Sequence, residues 1–205
     1  MEITEKDKEF MREAIRLADE SVQHGGGPFG AVIVKDGEII AGNSNSVTLD
    51  NDPTAHAEVN TIRRACHKLG TFDLSGCTIY TSCEPCPMCL GAIYWARISR
   101  IFYGNNRKDA RDIDFADDFI YEELDRPFDK RTVPLIPLLR DEALRSFRMW
   151  SAKTVFRVDK SRSKKQGGSG LGLALVKTIA DAHGATIAVD SEPGKGTTVS
   201  VVLPE

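Results

Sequence analysis

The feature that most limits what this chain can become is a pair of segments, His56-Ala57-Glu58 and Pro85-Cys86-Pro87-Met88-Cys89. Together they supply one imidazole, one carboxylate and two thiols. Zinc takes four tetrahedral ligands, and a hydrolytic site fills only three with protein, leaving the fourth position for water. Cys86 and Cys89 are three positions apart, so a helix opened by Pro87 sets both sulfurs on one face of its first turn. The orphan N–H groups and positive dipole end of that turn favour the thiolate a metal requires. His56 falls at the start of another helix, with Thr54 expected as its cap. Two helix N-termini then aim at one cation.

Bulk properties agree with a metalloenzyme in a reducing compartment. The chain has 205 residues, 41% hydrophobic and 28% charged, enough for one well-buried domain and a remainder. No apolar run approaches a membrane span, and MEITEKDKEF is charged from its second residue, unlike a signal peptide. A cytoplasmic location is therefore expected. Five cysteines, with Cys83, Cys86 and Cys89 close together, fit a metal site better than a disulfide framework. Residues 1–154 carry a net charge of −5 and residues 155–205 a net of +2. The acidic bulk speaks against a nucleic-acid partner, which needs a basic stripe.

Along the chain, residues 5–23 read as an amphipathic helix with Phe10, Ala14, Ala18 and Val22 at four-residue steps and Thr4 as cap. The glycine-rich run from His24 to Gly30 is either a ligand-approaching loop or a plain connector. Ala31–Val34 and Glu38–Ala41 make a hairpin through Lys35-Asp36-Gly37, and Asn43–Ser46 a polar turn. A helix over 54–69 stops at Gly70; strands at 78–81 and 101–104 flank the second metal helix, Pro87 to about Ala96. Residues 105–118 read as a solvated loop with a short helix, 133–136 as a last strand, and 141–154 as a helix. Strands alternating with helices predict an α/β layered domain with a mixed sheet.

TAHAEVNTIRRAC followed by TSCEPCPMCLGAIYWAR resembles the zinc-dependent nucleoside and nucleobase deaminases, whose signature is H-x-E followed by P-C-x-x-C. GGPFGAVIVKDGEIIAGNSNSV, NDPTAHAE and DDFIYEELDRP are more similar to the bacterial guanine deaminase branch than to the tRNA adenosine or cytidine branches. The likeness spans about residues 8–152 and implies a three-layer cytidine-deaminase-like domain over 1–154. By resemblance, His56, Cys86 and Cys89 hold zinc, whose water attacks the carbon bearing the amino group, and Glu58 carries the proton. The implied reaction turns guanine into xanthine and ammonia. A tRNA adenosine deaminase, or another nucleoside deaminase of the superfamily, is the nearest alternative.

The family match maps purine contacts onto Asn45 and Asp117, which alone would read as a turn residue and a surface acid. A carboxylate suits guanine because its N–H donors need an acceptor. Phe29 and His56 are candidates to sandwich the ring, and Trp95 to close one wall, although a Trp on an apolar helix is more often core. Cys66 and Cys77 read as packing residues, and His24, His67 and His183 lack partner spacing. A purely structural zinc could recruit Cys83 as fourth ligand, but Glu58 would then have no purpose.

From about Val155 the chain changes character. Residues 155–204, with Gly170-Leu171-Gly172-Leu173 and SEPGKGTTVSVVLP, are similar to the C-terminal half of a sensor histidine kinase ATP-binding domain. In that family the glycines cover nucleotide phosphates at a helix start. The parts that hold magnesium and adenine should precede this segment, and deaminase sequence stands there instead, so ATP binding is not expected. A helix and a hairpin of about fifty residues rarely fold alone. A signalling or nucleotide-binding module is the competing class of function, and ATP-dependent protection against melting is what would distinguish it. Similar guanine deaminases are homodimers whose C-terminal segment covers the partner's active site. The expected terminus is replaced here, which implies a weakened lid or one formed from Val155 to Val158.

Overall fold

The computed structural model describes residues 3–155, 184–192 and 196–202. It divides into two units, Met1–Ile136 and Pro137–Glu205.

The first unit opens with α1 (Glu5–Gln23), started by a reciprocal capping box. The Asp7 N–H donates to Thr4 Oγ1 at 3.1 Å, and the Thr4 N–H donates to Asp7 Oδ2 at 2.8 Å. Strands β1 (Gly30–Lys35) and β2 (Glu38–Ser44) form an antiparallel hairpin. Asp36 and Gly37 both have positive φ between the paired Lys35 and Glu38, the geometry of a two-residue type I′ turn. A short turn of helix, α2 (Val47–Asp50), leads to α3 (Ala57–Leu69), which ends on Gly70 in the left-handed region. Then come β3 (Thr78–Cys83), α4 (Pro87–Trp95) and β4 (Arg100–Asn105). Two short helices follow, α5 (Arg107–Arg111) and α6 (Asp118–Asp125).

The sheet order is β2-β1-β3-β4, with only the β3–β4 pair parallel. Pleating sends alternate β1 side chains to opposite faces. Ala31 and Ile33 join Ile79, Ile93, Ala57 and Ala65 under α3 and α4. Val32 and Val34 join Tyr80 and Ala14 under α1. Both faces of β1 are thus covered, and five of its six residues are buried. This is the mixed, three-layer α/β arrangement expected.

Tyr80 ties the α1 layer to the sheet. Its ring stacks on Phe102 at 5.0 Å and meets Phe10 at 5.3 Å, while its hydroxyl donates to Asp7. Hydrogen bonds from Thr4 and then Tyr80 hold the Asp7 carboxyl down at about 2, from 3.8. A carboxyl depressed on folding stabilises fully above its unfolded value, and the contribution is lost as pH falls through the folded value. Melting temperature followed against pH should therefore show wild type above Asp7→Asn by a constant margin above pH 4. The margin should close as pH approaches 2, and one that persists unchanged to pH 2 would rule out this account.

Three local expectations are corrected. Thr54 does not cap α3: its N–H and hydroxyl both donate to Asp52 Oδ1 at 2.7 Å, in a turn that delays the helix, and His56 occupies the cap position. Asn43 and Ser44 belong to β2 rather than to a turn, because Gly30 and Ala31 continue the ladder beside them. Residues 133–136 form no strand; Pro134 within the segment and Pro137 just after it lack the N–H a ladder needs, and the segment is exposed.

In the second unit, α7 (Arg140–Val155) precedes an antiparallel hairpin, β5 (Thr186–Glu192) with β6 (Gly196–Val202). The Gly170–Leu173 motif, the helix expected before His183 and most of the 155–158 segment lie outside the described residues.

Candidate active site

Two helix starts and one strand end build the site. His56 holds the N-cap position of α3 and Cys86 that of α4, with Pro87 inside α4, and neither side chain makes a capping hydrogen bond. Each is free to turn its donor atom towards the other. His56 Nδ1 lies 3.6 Å from Cys86 Sγ and 3.5 Å from Cys89 Sγ. All three donor atoms fall within 4.8 Å of one another, a grouping no other three His, Cys, Asp or Glu among the described residues achieve. Zinc–sulfur bonds of about 2.3 Å and a zinc–nitrogen bond of about 2.0 Å at the tetrahedral angle separate sulfur from nitrogen by about 3.5 Å. The cluster fits that ion.

Hydrogen bonding within the cluster polarises the thiols. Cys86 is drawn down to about 4, chiefly by the hydrogen bond from Cys89 and then that from His56, while the donor Cys89 is pushed up. The Cys86 thiolate raises His56 in turn. Glu58, in the first turn of α3, is buried and lies outside the donor group. Thr81 from β3 donates to its Oε1 at 3.1 Å, and Cys89 Sγ lies 3.3 Å from Oε2. Burial, above all, raises the Glu58 carboxyl. A carboxyl so placed can take a proton and give it back, without serving as ligand.

A cavity of about 390 Å³ opens over these groups, lined by Phe29, Asn45, His56, Glu58, Cys86, Arg107, Phe115, Asp117 and Ile120, among others. Asn45 is buried and anchored through its backbone: its N–H donates to the Phe29 carbonyl at 2.9 Å, and its own carbonyl accepts from Ser21 Oγ at 3.1 Å. Gly26 permits that anchoring, since a Cβ there would stand 2.8 Å from the same carbonyl and 2.4 Å from Ser21 Oγ. Asn45 Oδ1 accepts from the Val47 N–H at 3.2 Å. Among the described residues its Nδ2 makes no hydrogen bond. Asp117 occupies the N-cap of α6, where burial and then the Cys86 thiolate push its carboxyl up and Arg107 opposes them.

Residues 4–105 match the cytidine and deoxycytidylate deaminase zinc-binding region. Over 142 residues the chain is 56% identical to guanine deaminase of Bacillus subtilis (strain 168), covering 69% of this chain and 91% of that protein. The chain belongs to the zinc-dependent cytidine and deoxycytidylate deaminase family. An X-ray structure of guanine deaminase from Bacillus subtilis superposes with a TM-score of 0.69 at 51% identity, covering 78% of this chain and 97% of that one. A tRNA-specific adenosine deaminase of the same organism is more distant, 42% identical over 99 residues, which cover 48% of this chain and 62% of that protein. Residues 132–205 match the histidine kinase-, DNA gyrase B- and HSP90-like ATPase family.

For this deaminase-family chain, the structure brings Phe29, Asn45, His56, Glu58, Cys86 and Asp117 to one cavity, with Cys89 beneath it. Trp95 is not brought there. It ends α4 with 87% of its surface exposed, because Cys89 and Ile93 take the inward face of that helix. Cys83 lines the cavity but lies outside the donor group; its thiol, pushed up to about 11 mainly by burial, is 3.9 Å from the Asn106 carbonyl. Cys77 is buried and Cys66 half-buried. Sequence reasoning missed Phe115, Ile120 and Arg107. Phe115 meets Phe29 edge-on at 5.0 Å and 81°, supplying the aromatic wall assigned to Trp95. The only sequence signal was the four-residue step from Phe115 to Phe119, hidden among acids.

Proposed function

We propose that the chain is a zinc-dependent aminohydrolase that converts guanine and water to xanthine and ammonia. The observation that carries this reading is a single cavity over the His56–Cys86–Cys89 cluster, lined by buried Glu58 and by a carboxylate and an amide, Asp117 and Asn45. Zinc, when bound, supplies an acidified water as the nucleophile. Glu58 takes the proton that water releases as its oxygen bonds to C2, and passes it to the neighbouring ring nitrogen. Glu58 then moves the second proton to the amino group, so that the C2–N bond breaks with ammonia leaving. The Thr81 hydroxyl, donating to Oε1, holds the Glu58 carboxylate in register for these transfers. The Asp117 carboxylate accepts from the purine N–H edge, Asn45 Nδ2 donates to a purine acceptor, and Phe29 with Phe115 covers the ring faces.

The cavity's chemistry also argues against a tRNA substrate. Glu58, Glu84, Asp114 and Asp117 line it with one arginine, whereas a polyanion needs a basic track. Homodimer formation is part of the reading, supported by Tyr94 and Trp95 standing 76% and 87% exposed side by side. Location in the cytoplasm is part of the reading, supported by five cysteines of which two belong to the metal cluster. Residues 155–205 are read as a partial histidine-kinase-like segment that does not bind ATP.

The test is ammonia release by the zinc-loaded full-length chain from guanine, adenosine, cytidine and a tRNA anticodon stem, with sedimentation of the same preparation. Guanine alone should be turned over, by a dimer. Turnover of the anticodon stem in its place would sink the reading, and a monomer active on guanine would remove the dimer from it.

A further inference from the structure

Three side chains outside the metal cluster close a triangle around it. The Arg107 guanidinium lies over the Tyr121 ring, 4.4 Å from its centroid, which joins the start of α5 to α6. Arg107 also pairs with Glu84, Nε to Oε1 at 3.4 Å, and its backbone N–H donates to Oε2 at 3.3 Å. These contacts join α5 to the segment entering Cys86. The Tyr121 hydroxyl completes the figure by donating to the Pro85 carbonyl at 3.4 Å. Beside it, Arg111 Nε donates to Asp118 Oδ2 at 2.8 Å, a second tie between α5 and α6. Asp117 heads α6 with no hydrogen bond capping it, so its place depends on what holds the helix.

The triangle has an electrostatic side. Among the described residues lining the cavity, Arg107 is the only lysine or arginine, set against four carboxylates. Burial above all disfavours a charged Asp117; its backbone N–H and then the Arg107 charge favour it. A neutral Asp117 would lose half its power as an acceptor.

We propose that Arg107 is a positioning and specificity-determining residue: clamped between Glu84 and Tyr121, it fixes the Asp117 carboxylate against the Pro85–Cys86 segment. It also supplies the positive charge that keeps Asp117 an acceptor for the N–H edge of a purine. The identity of the purine rests on the guanine reading; the clamp does not. Lysine is not an equivalent, because only the planar guanidinium can lie over Tyr121 while its Nε pairs with Glu84.

Arg107→Gln should raise the KM for guanine about tenfold, leave kcat within about twofold, and keep one zinc per chain. Arg107→Lys, which keeps the charge and loses the stack, should fall between. Tyr121→Leu should raise KM as Arg107→Gln does, with zinc again retained. An unchanged KM in Arg107→Gln, or a fall in kcat accompanied by loss of zinc, would overturn the proposal in favour of a general scaffold role. Hydrogen exchange of the zinc-loaded chains, without substrate, decides the clamp separately. Amides of residues 118–125 should exchange faster in Arg107→Gln than in wild type, and equal rates would end the clamp. Failure of the wild type to deaminate guanine would strike at the substrate reading alone.

Discussion

Glu58→Gln should bind one zinc per chain and deaminate guanine about 10²–10⁴-fold more slowly than wild type, the range positioned acid–base groups contribute. The substitution is nearly isosteric at a buried position, and Thr81 Oγ1 can still donate to the amide oxygen. What disappears is the capacity to take a proton from water and return it to the ring. Zinc content, melting temperature and ammonia release on one preparation check all three statements. Loss of zinc in this variant would mean that Glu58 is a ligand; activity close to wild type would mean that another group moves the proton.

Cys86→Ala should have the larger effect, with zinc lost and turnover below detection. The thiol it removes is the one held as a thiolate, contacted by both other members of the cluster. A ligand that binds only the folded state stabilises it by about 4 kcal/mol at a thousand times its dissociation constant. The variant should therefore melt well below zinc-loaded wild type, and wild type stripped by a chelator should melt close to the variant. Stoichiometric zinc in Cys86→Ala would show that Cys83, the remaining cavity thiol, substitutes as ligand, and the three-residue assignment would fall.

What could be read from the sequence was what depends on residues close together in the chain. The α1 stripe, the Asp36-Gly37 turn and the Pro87-led helix each declare themselves within a few positions. The metal cluster was legible for the same reason: two short motifs at helix starts carry all three donors. Elements whose local pattern conflicts with their packing were not legible. α6 carries four acids in eight residues, so its apolar face was lost in the charge. α4 is apolar nearly all round, and a period cannot say which side is covered; Ile93 went in and Trp95 out. The cap of α3 turned on a competition between Thr54 and Asp52 for the same turn, which spacing alone does not resolve. Arg107 was invisible because its partners, Glu84 and Tyr121, come from separate elements.

Among the described residues, every one that lines the cavity falls between Gly27 and Ile120, inside the first unit. The hereditary consequence is that a recombination breakpoint downstream of α6 exchanges everything after it without altering one of those side chains, or the Tyr121 that braces them. Selection on the chemistry therefore acts upstream of that point, and the remainder of the reading frame is open to replacement by sequence of other ancestry. A chain whose residues 4–105 match one family, and whose residues 132–205 match another, is the kind of product that such freedom permits.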